Sequence, residues 1–110
     1  MHEVGIMEEA VRLAGAAAGA RKVRKLTLRI GQLSGVVPEA LRFAFDVVAR
    51  GTVVEGAGLV IENIPAACWC ATCAQEFESQ DWLAECPRCQ NVSGDLRRGR
   101  ELEIAAVELE

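Results

Sequence analysis

Two groups of residues in this chain could do chemistry. The larger is a set of thiols: "CWCATC" places Cys68, Cys70 and Cys73 together, and "CPRC" later supplies Cys86 and Cys89, five cysteines in all. Cys70 and Cys73, like Cys86 and Cys89, have the C-x2-C spacing that folds a short turn with both thiolates and several backbone N–H groups directed at one ion. Two such turns make a closed four-thiolate site, and Cys68 is the thiol left over. The 12 residues between the pairs form a slightly shorter loop than the roughly 15 to 20 of zinc ribbons, which does not break the geometry. Zinc suits such a site because a d10 ion has no geometric preference of its own, and it could contribute about 10 to 16 kcal/mol of apparent binding energy to a segment with little core. Iron is the rival, since CPxC also occurs in rubredoxin-like sites, although those usually continue with Gly where this chain has Gln90; visible charge-transfer bands would separate the two. With either metal the site is structural, because it has no open position and no neighbouring histidine or base. Cys68 would share the face of Cys70 in a regular strand, and is read as a small apolar residue.

The second group is the opening "MHE". His2 is the only histidine in 110 residues, and it stands where chains usually fray. An exposed residue without a task is one reading. The other is a chelate: the terminal amine of Met1 and the amide nitrogen of His2 close a five-membered ring around a metal, and imidazole Nδ1 adds a six-membered one. Ni(II) and Cu(II) can displace the amide proton and favour such planar nitrogen sites, with the Glu3 amide or carboxylate, or a partner protein, filling what remains. Affinity should fall on acidification, because the amine and imidazole bind only as free bases.

The elements that would position these groups follow from periodicity. From about Glu3 to Ala18, the spacing of Ile6, Ala10, Leu13 and Ala17 predicts a helix, with Glu8 and Glu9 in its first part and Gly19 to stop it. "KLTLRIG" alternates Leu26, Leu28 and Ile30 against polar residues, the pattern of a half-buried strand. Pro38 and Glu39 open a second helix with Leu41, Ala44, Phe45 and Val48 on one side, closed by Gly51. "GLVIENIP" is a second strand with Leu59 and Ile61 on one face. The tail "RELEIAAVELE" has strand character through Leu102, Ile104 and Val107, and is expected to pair with the earlier strands. Between Ala66 and about Gly99 no helical period survives, and a metal must hold the fold. The predicted class is α+β: a small two-helix, mixed-sheet domain over residues 1–65 and 100–110, with a zinc-ribbon-like four-cysteine lobe inserted at 66–99.

Composition sets the outer limits. The chain is 51% hydrophobic but 5% aromatic, without Tyr, so its core must come from aliphatic residues, with Phe43, Phe45 and Phe77 expected as the largest apolar pieces. No uncharged stretch reaches the roughly 18 residues of a membrane span, and the amino terminus is acidic where a signal peptide is basic. A cytoplasmic protein is expected. There cysteines serve metals more often than disulfides. Of the net charge of -4, the half from Cys68 onward carries four basic and nine acidic residues, which argues against a nucleic-acid surface there.

"MHEVGIMEEAV", "VRKLTLRIGQLSGVVPEALRFAF", "EGAGLVIENIP", the two cysteine pairs and "RGRELEIAAVELE" follow in an order and spacing that resembles the HypA/HybF hydrogenase nickel-insertion proteins over nearly the whole chain. The resemblance implies that Met1, His2 and Glu3 form a nickel site and that Cys70, Cys73, Cys86 and Cys89 hold structural zinc. It implies a nickel metallochaperone and not an enzyme, with a GTPase of the HypB kind as partner, the large subunit of [NiFe]-hydrogenase as recipient, and a homodimer or a urease recipient left open. Cys68 and Gln90, the latter in place of a common Gly, depart from the family pattern without touching the proposed ligands. The rival readings are a zinc-ribbon nucleic-acid or protein-binding module, for which Arg97, Arg98 and Arg100 supply charge, and a rubredoxin-like electron carrier.

Overall fold

In the computed structural model, which describes residues 2–79 and 83–110, the amino-terminal segment winds into α1, Glu3–Ala18. The strands described are β1 (Val23–Gly31), β2 (Gly58–Ile64), β3 (Ala67–Cys70), β4 (Gln75–Glu78), β5 (Leu96–Arg98) and β6 (Leu102–Leu109), with α2 (Pro38–Val48) between the first two. Helix α1 ends where Gly19 turns to φ +64°, its N–H still donating to the Gly15 carbonyl at 3.0 Å. An L side chain resists that conformation and glycine does not.

The buried face of α1 is Met7, Ala10, Val11, Ala14 and Ala18, and not the expected stripe of Ile6, Ala10, Leu13 and Ala17. Leu13 is exposed and Ile6 only half-buried. Both stripes obey the three-and-four spacing, and tertiary packing, not local pattern, selects the one with Met7 and Val11. In α2, Pro38 occupies the first turn, where its missing N–H costs nothing. Leu41, Ala44 and Phe45 are buried, whereas Phe43 is 75% exposed. Its expected place in the core was wrong because position 43 lies across the helix from the 41/44/45 stripe. The two helices pack on each other, and Val54, in the turns after α2, is fully buried.

The larger sheet has the order β2-β1-β6. Gly58 lies against the Arg24 carbonyl at one end, and Gln32 N–H donates to Ile64 O at 2.9 Å beyond the other, so β2 runs parallel to β1, as a helical crossover through α2 allows. Strand β6 runs the other way: Gly31 N–H meets the Glu101 carbonyl at 2.8 Å, and Glu110 N–H meets that of Lys22 at 3.0 Å. The sheet is therefore mixed. Leu26, Leu28 and Ile30 are buried on β1, as their alternation requires, and so are Val23 at its start and Gly31 at its end. Arg24 and Lys25 pair with Glu108, and Arg29 with Glu103, so exposed charges are matched across β1 and β6. Of the residues that give β6 its strand character, Leu102 is 41% exposed, while Ile104 and Val107 are half-buried.

The chain divides into two compact units, Met1–Arg29 with Gly35–Glu62 and Glu103–Glu110, and Ile30–Ser34 with Asn63–Leu102. In the second, β3 is central, with β4 and β5 on its two sides, both antiparallel to it. Cys68 stands opposite Phe77, and Cys70 opposite Gln75. Because side chains alternate along a strand, Cys68 and Cys70 share one face, and they cluster with Phe77, Ala84 and Cys86. Glycine is required once more here, since a Cβ on Gly31 would overlap the carbonyl of Gly99. Among the described residues no helix is long and apolar enough to cross a membrane.

Candidate metal centres

The sulfurs of Cys70, Cys73, Cys86 and Cys89 all lie within 4.8 Å of one another. Cys70 comes from the end of β3 and Cys73 from the turn into β4; Cys86 and Cys89 flank a second turn, in which Gln90 N–H donates to the Cys86 carbonyl at 2.8 Å. The residue after each pair has a left-handed backbone, Ala74 at φ +52° and Gln90 at φ +65°. The two pairs thus fold as similar turns. Cys73 N–H points at Cys70 Sγ at 3.4 Å, and the Cys70 and Cys89 sulfurs are 3.5 Å apart. A tetrahedral ion with bonds of about 2.3 Å to sulfur separates its ligands by about 3.8 Å, so this donor set fits one such ion. The four cysteines would hold it, and it would supply a cross-link between the two turns.

Electrostatics within the cluster favour a cation. Burial works against ionisation of Cys86, yet the N–H groups of Cys89 and Arg88 and the thiols of Cys70 and Cys89 outweigh it, and Cys86 is pulled down to about 6. For Cys89 the Asn91 N–H favours the thiolate, but burial and the sulfurs of Cys70, Cys86 and Cys73 push it up to about 12. One negative charge is accommodated and the next resisted. Cys68 is 2% exposed and stands outside the four-sulfur group. Burial, then the Asp95 charge, pushes its thiol up, as expected of a small apolar residue and not of a nucleophile.

Gln90 occupies a position that sequence reasoning could only flag as an unusual replacement for Gly. A left-handed conformation costs an L residue roughly 1 to 2 kcal/mol, and glycine returns about half of that through chain entropy. Gln90→Gly is expected to stabilise the second unit by about 0.5 to 1 kcal/mol. A raised thermal midpoint of the metal-loaded protein checks it, and a fall would mean that the Gln90 side chain matters more than its backbone.

The other candidate site begins at the chain start, where Met1 lies outside the described residues. His2 is the N-cap of α1 with extended backbone (φ -88°, ψ 92°), and its carbonyl accepts the Ile6 N–H at 3.1 Å. Its side chain is exposed and makes no capping bond. Glu3, the first helical residue, accepts the N–H of Val37 on its Oε2 at 3.2 Å. Val37 is the N-cap of α2, and the Glu3 carboxylate satisfies its N–H as a capping-box glutamate would, but from α1. The Val37 N–H, and then Glu3's own N–H, hold this carboxyl below the usual range. The structure thus brings His2 and Glu3 to one helix start, with Glu3 also tied to α2. Sequence reasoning did not find the Val37 contact, which spans 34 positions and leaves no local pattern.

Two of the three basic residues of "DLRRGRE", Arg97 and Arg98, are engaged with acids. Arg97 forms two hydrogen bonds to Asp95, at 3.0 and 2.9 Å, and lies over the Trp69 ring, while Arg98 pairs with Glu76. Neither guanidinium is presented to a phosphate backbone without first losing a carboxylate partner.

Residues 1–109 match the family model described as "Hydrogenase/urease nickel incorporation, metallochaperone, hypA". The chain belongs to the HypA family. Two HypA relatives described as hydrogenase maturation factors align over almost their full length. That of Picosynechococcus sp. is 49% identical over 112 residues, 99% of each chain. That of Geobacter metallireducens is 42% identical and aligns with 94% of this chain and 99% of its own. The HypA fold is shared with the solution structure of the Ni metallochaperone HypA from Helicobacter pylori, with a TM-score of 0.67 at 22% identity and coverage of 99% of this chain and 97% of that one. By family description HypA proteins are metallochaperones, and the two-helix, mixed-sheet architecture with a four-cysteine lobe is theirs.

Proposed function

We propose that this HypA-family protein is a cytoplasmic nickel carrier that binds one Ni(II) at its amino terminus and delivers it to the large-subunit precursor of a [NiFe]-hydrogenase, with structural Zn(II) held by Cys70, Cys73, Cys86 and Cys89. The observation that carries this reading is the exposed His2 at the start of α1, beside a Glu3 carboxylate that accepts the Val37 N–H, in a chain whose residues 1–109 match the family model. The Met1 amine, the His2 amide and imidazole nitrogens, and Glu3 are the nickel ligands. A site built from the first residues suits transfer, because few contacts must break and a recipient's thiolates can approach from the open side. The domain over residues 1–65 and 100–110 carries the nickel end, and residues 66–99 carry zinc. A HypB-type GTPase is the proposed partner in loading or release.

Metal analysis and nickel titration of untagged protein with its native amino terminus test the reading. About one tightly held zinc and one added nickel per chain are expected, with X-ray absorption of the nickel dominated by nitrogen and oxygen neighbours. Nickel surrounded by sulfur would place the cargo in the cysteine cluster and overturn the assignment.

A further inference from the structure

The four sulfurs come from two separate turns, so a metal held between them keeps its ligands only while the turns stay together. Asn91, just beyond the second turn, is anchored to both cysteines of that turn. Its carbonyl accepts the Cys86 N–H at 2.9 Å, and its own N–H points to Cys89 sulfur. The left-handed backbone at Gln90 reverses the chain immediately before it. The Asn91 side chain then reaches across to the first turn, where Nδ2 donates to Oγ1 of Thr72 at 2.9 Å. Thr72 lies between Cys70 and Cys73, so this bond joins a residue fixed on one ligand pair to a residue enclosed by the other. Neither residue offers a metal ligand, and neither is one of the cysteines whose spacing marks the site.

We infer that the Asn91–Thr72 hydrogen bond is a clasp between the two cysteine turns, and that these are positioning residues which slow metal release from the four-thiolate site. The inference rests on the structural-metal part of the proposed function. A closed site loses its ion stepwise, and one turn must swing away from the other before the last thiolates let go. The clasp is intact in the closed arrangement and broken in the opened one, so it stabilises the former without touching the ion. Because Asn91 is held by its backbone to Cys86 and Cys89, it spends little freedom in presenting its side chain.

The test uses full-length protein and two probes: cobalt(II) substituted into the site, and zinc release to a chromogenic chelator. Asn91→Ala and Thr72→Val are each expected to release zinc about two- to tenfold faster, the range of one neutral hydrogen bond. The double variant should be no faster than the quicker single one, because both remove the same bond. Thr72→Ser keeps the hydroxyl and should restore the parental rate. The sulfur-to-cobalt charge-transfer intensity should persist in all variants, with a changed envelope of ligand-field bands where the clasp is lost. Parental release rates in both single variants, multiplicative effects in the double variant, or a Thr72→Ser rate equal to that of Thr72→Val would each overturn the clasp. Absence of charge-transfer intensity in the parent protein is a different failure, since it would remove the four-thiolate site and the clasp with it.

Discussion

Replacement of His2 by Ala is expected to lower nickel affinity by more than about 100-fold while leaving zinc content and melting temperature unchanged. The size follows from the chelate. In the proposed chelate the imidazole closes the second ring around the ion, and loss of even an outer-shell partner of a metal ligand commonly costs about 10- to 100-fold, so loss of a ligand should exceed that. The selectivity follows from the local structure. The His2 side chain is exposed and makes no capping bond, and α1 begins through its backbone carbonyl, which alanine keeps. An exposed side chain of this kind is worth no more than about 0.5 kcal/mol to the fold. Glu3 would be a poorer choice of position, because its carboxylate also serves the N–H of Val37, and a variant there would mix lost ligation with a frayed α2. A second alteration separates imidazole from amine: one residue added before Met1 moves the free amine out of the ring and should weaken binding comparably. Calorimetric titration reads both proteins, and nickel affinity equal to that of the parent in the two together would end the amino-terminal assignment.

Much of this architecture was legible because several elements obey one strong period. Leu26, Leu28 and Ile30 alternate cleanly, and Leu41, Ala44 and Phe45 repeat at helical spacing, so β1 and α2 lie where these residues put them. Helix α1 was legible in extent but not in orientation. Its sequence is apolar on two adjacent sides, and only tertiary packing selects Met7 and Val11 over Ile6 and Leu13. The thiol pairs announced themselves by spacing, and the structure gathers their sulfurs. The short strands β3, β4 and β5 did not announce themselves. Three or four residues cannot establish a period, and on β3 the inward positions are cysteines that read as ligands before they read as strand. Contacts between distant positions were also invisible. Glu3 with Val37, and Asn91 with Thr72, join side chains whose types permit many partners, and their choice is made by the fold around them.

The second large effect is expected from removing a zinc ligand. Among the described residues, three of the five in the buried cluster of the second unit are cysteines, Cys68, Cys70 and Cys86, with Phe77 and Ala84 beside them and the partly buried Leu96 packed against them. Full burial of a side chain such as Phe77 contributes about 1.5 to 3 kcal/mol, against about 10 to 16 kcal/mol of apparent binding energy for a four-thiolate zinc at neutral pH. On the proposed function the metal is therefore expected to decide whether this unit is ordered. Cys86 is the most demanding position, being fully inaccessible to solvent and receiving the N–H groups of Cys89 and Arg88. Cys86→Ser is expected to lose zinc and to open the strand pairs that β3 makes with β4 and β5. Amide hydrogen exchange should then be fast at Trp69, whose N–H is bonded to the Asp95 carbonyl at 2.9 Å. The amides of β1 around Leu26 and Leu28 draw on a separate set of buried aliphatic residues and should retain most of their protection. Prolonged treatment of the unaltered protein with a strong chelator should reproduce the pattern, and zinc restored to that protein should reverse it. If Cys86→Ser keeps one zinc per chain and its Trp69 amide stays protected, the cysteines are packing residues and the metal is not what orders this unit.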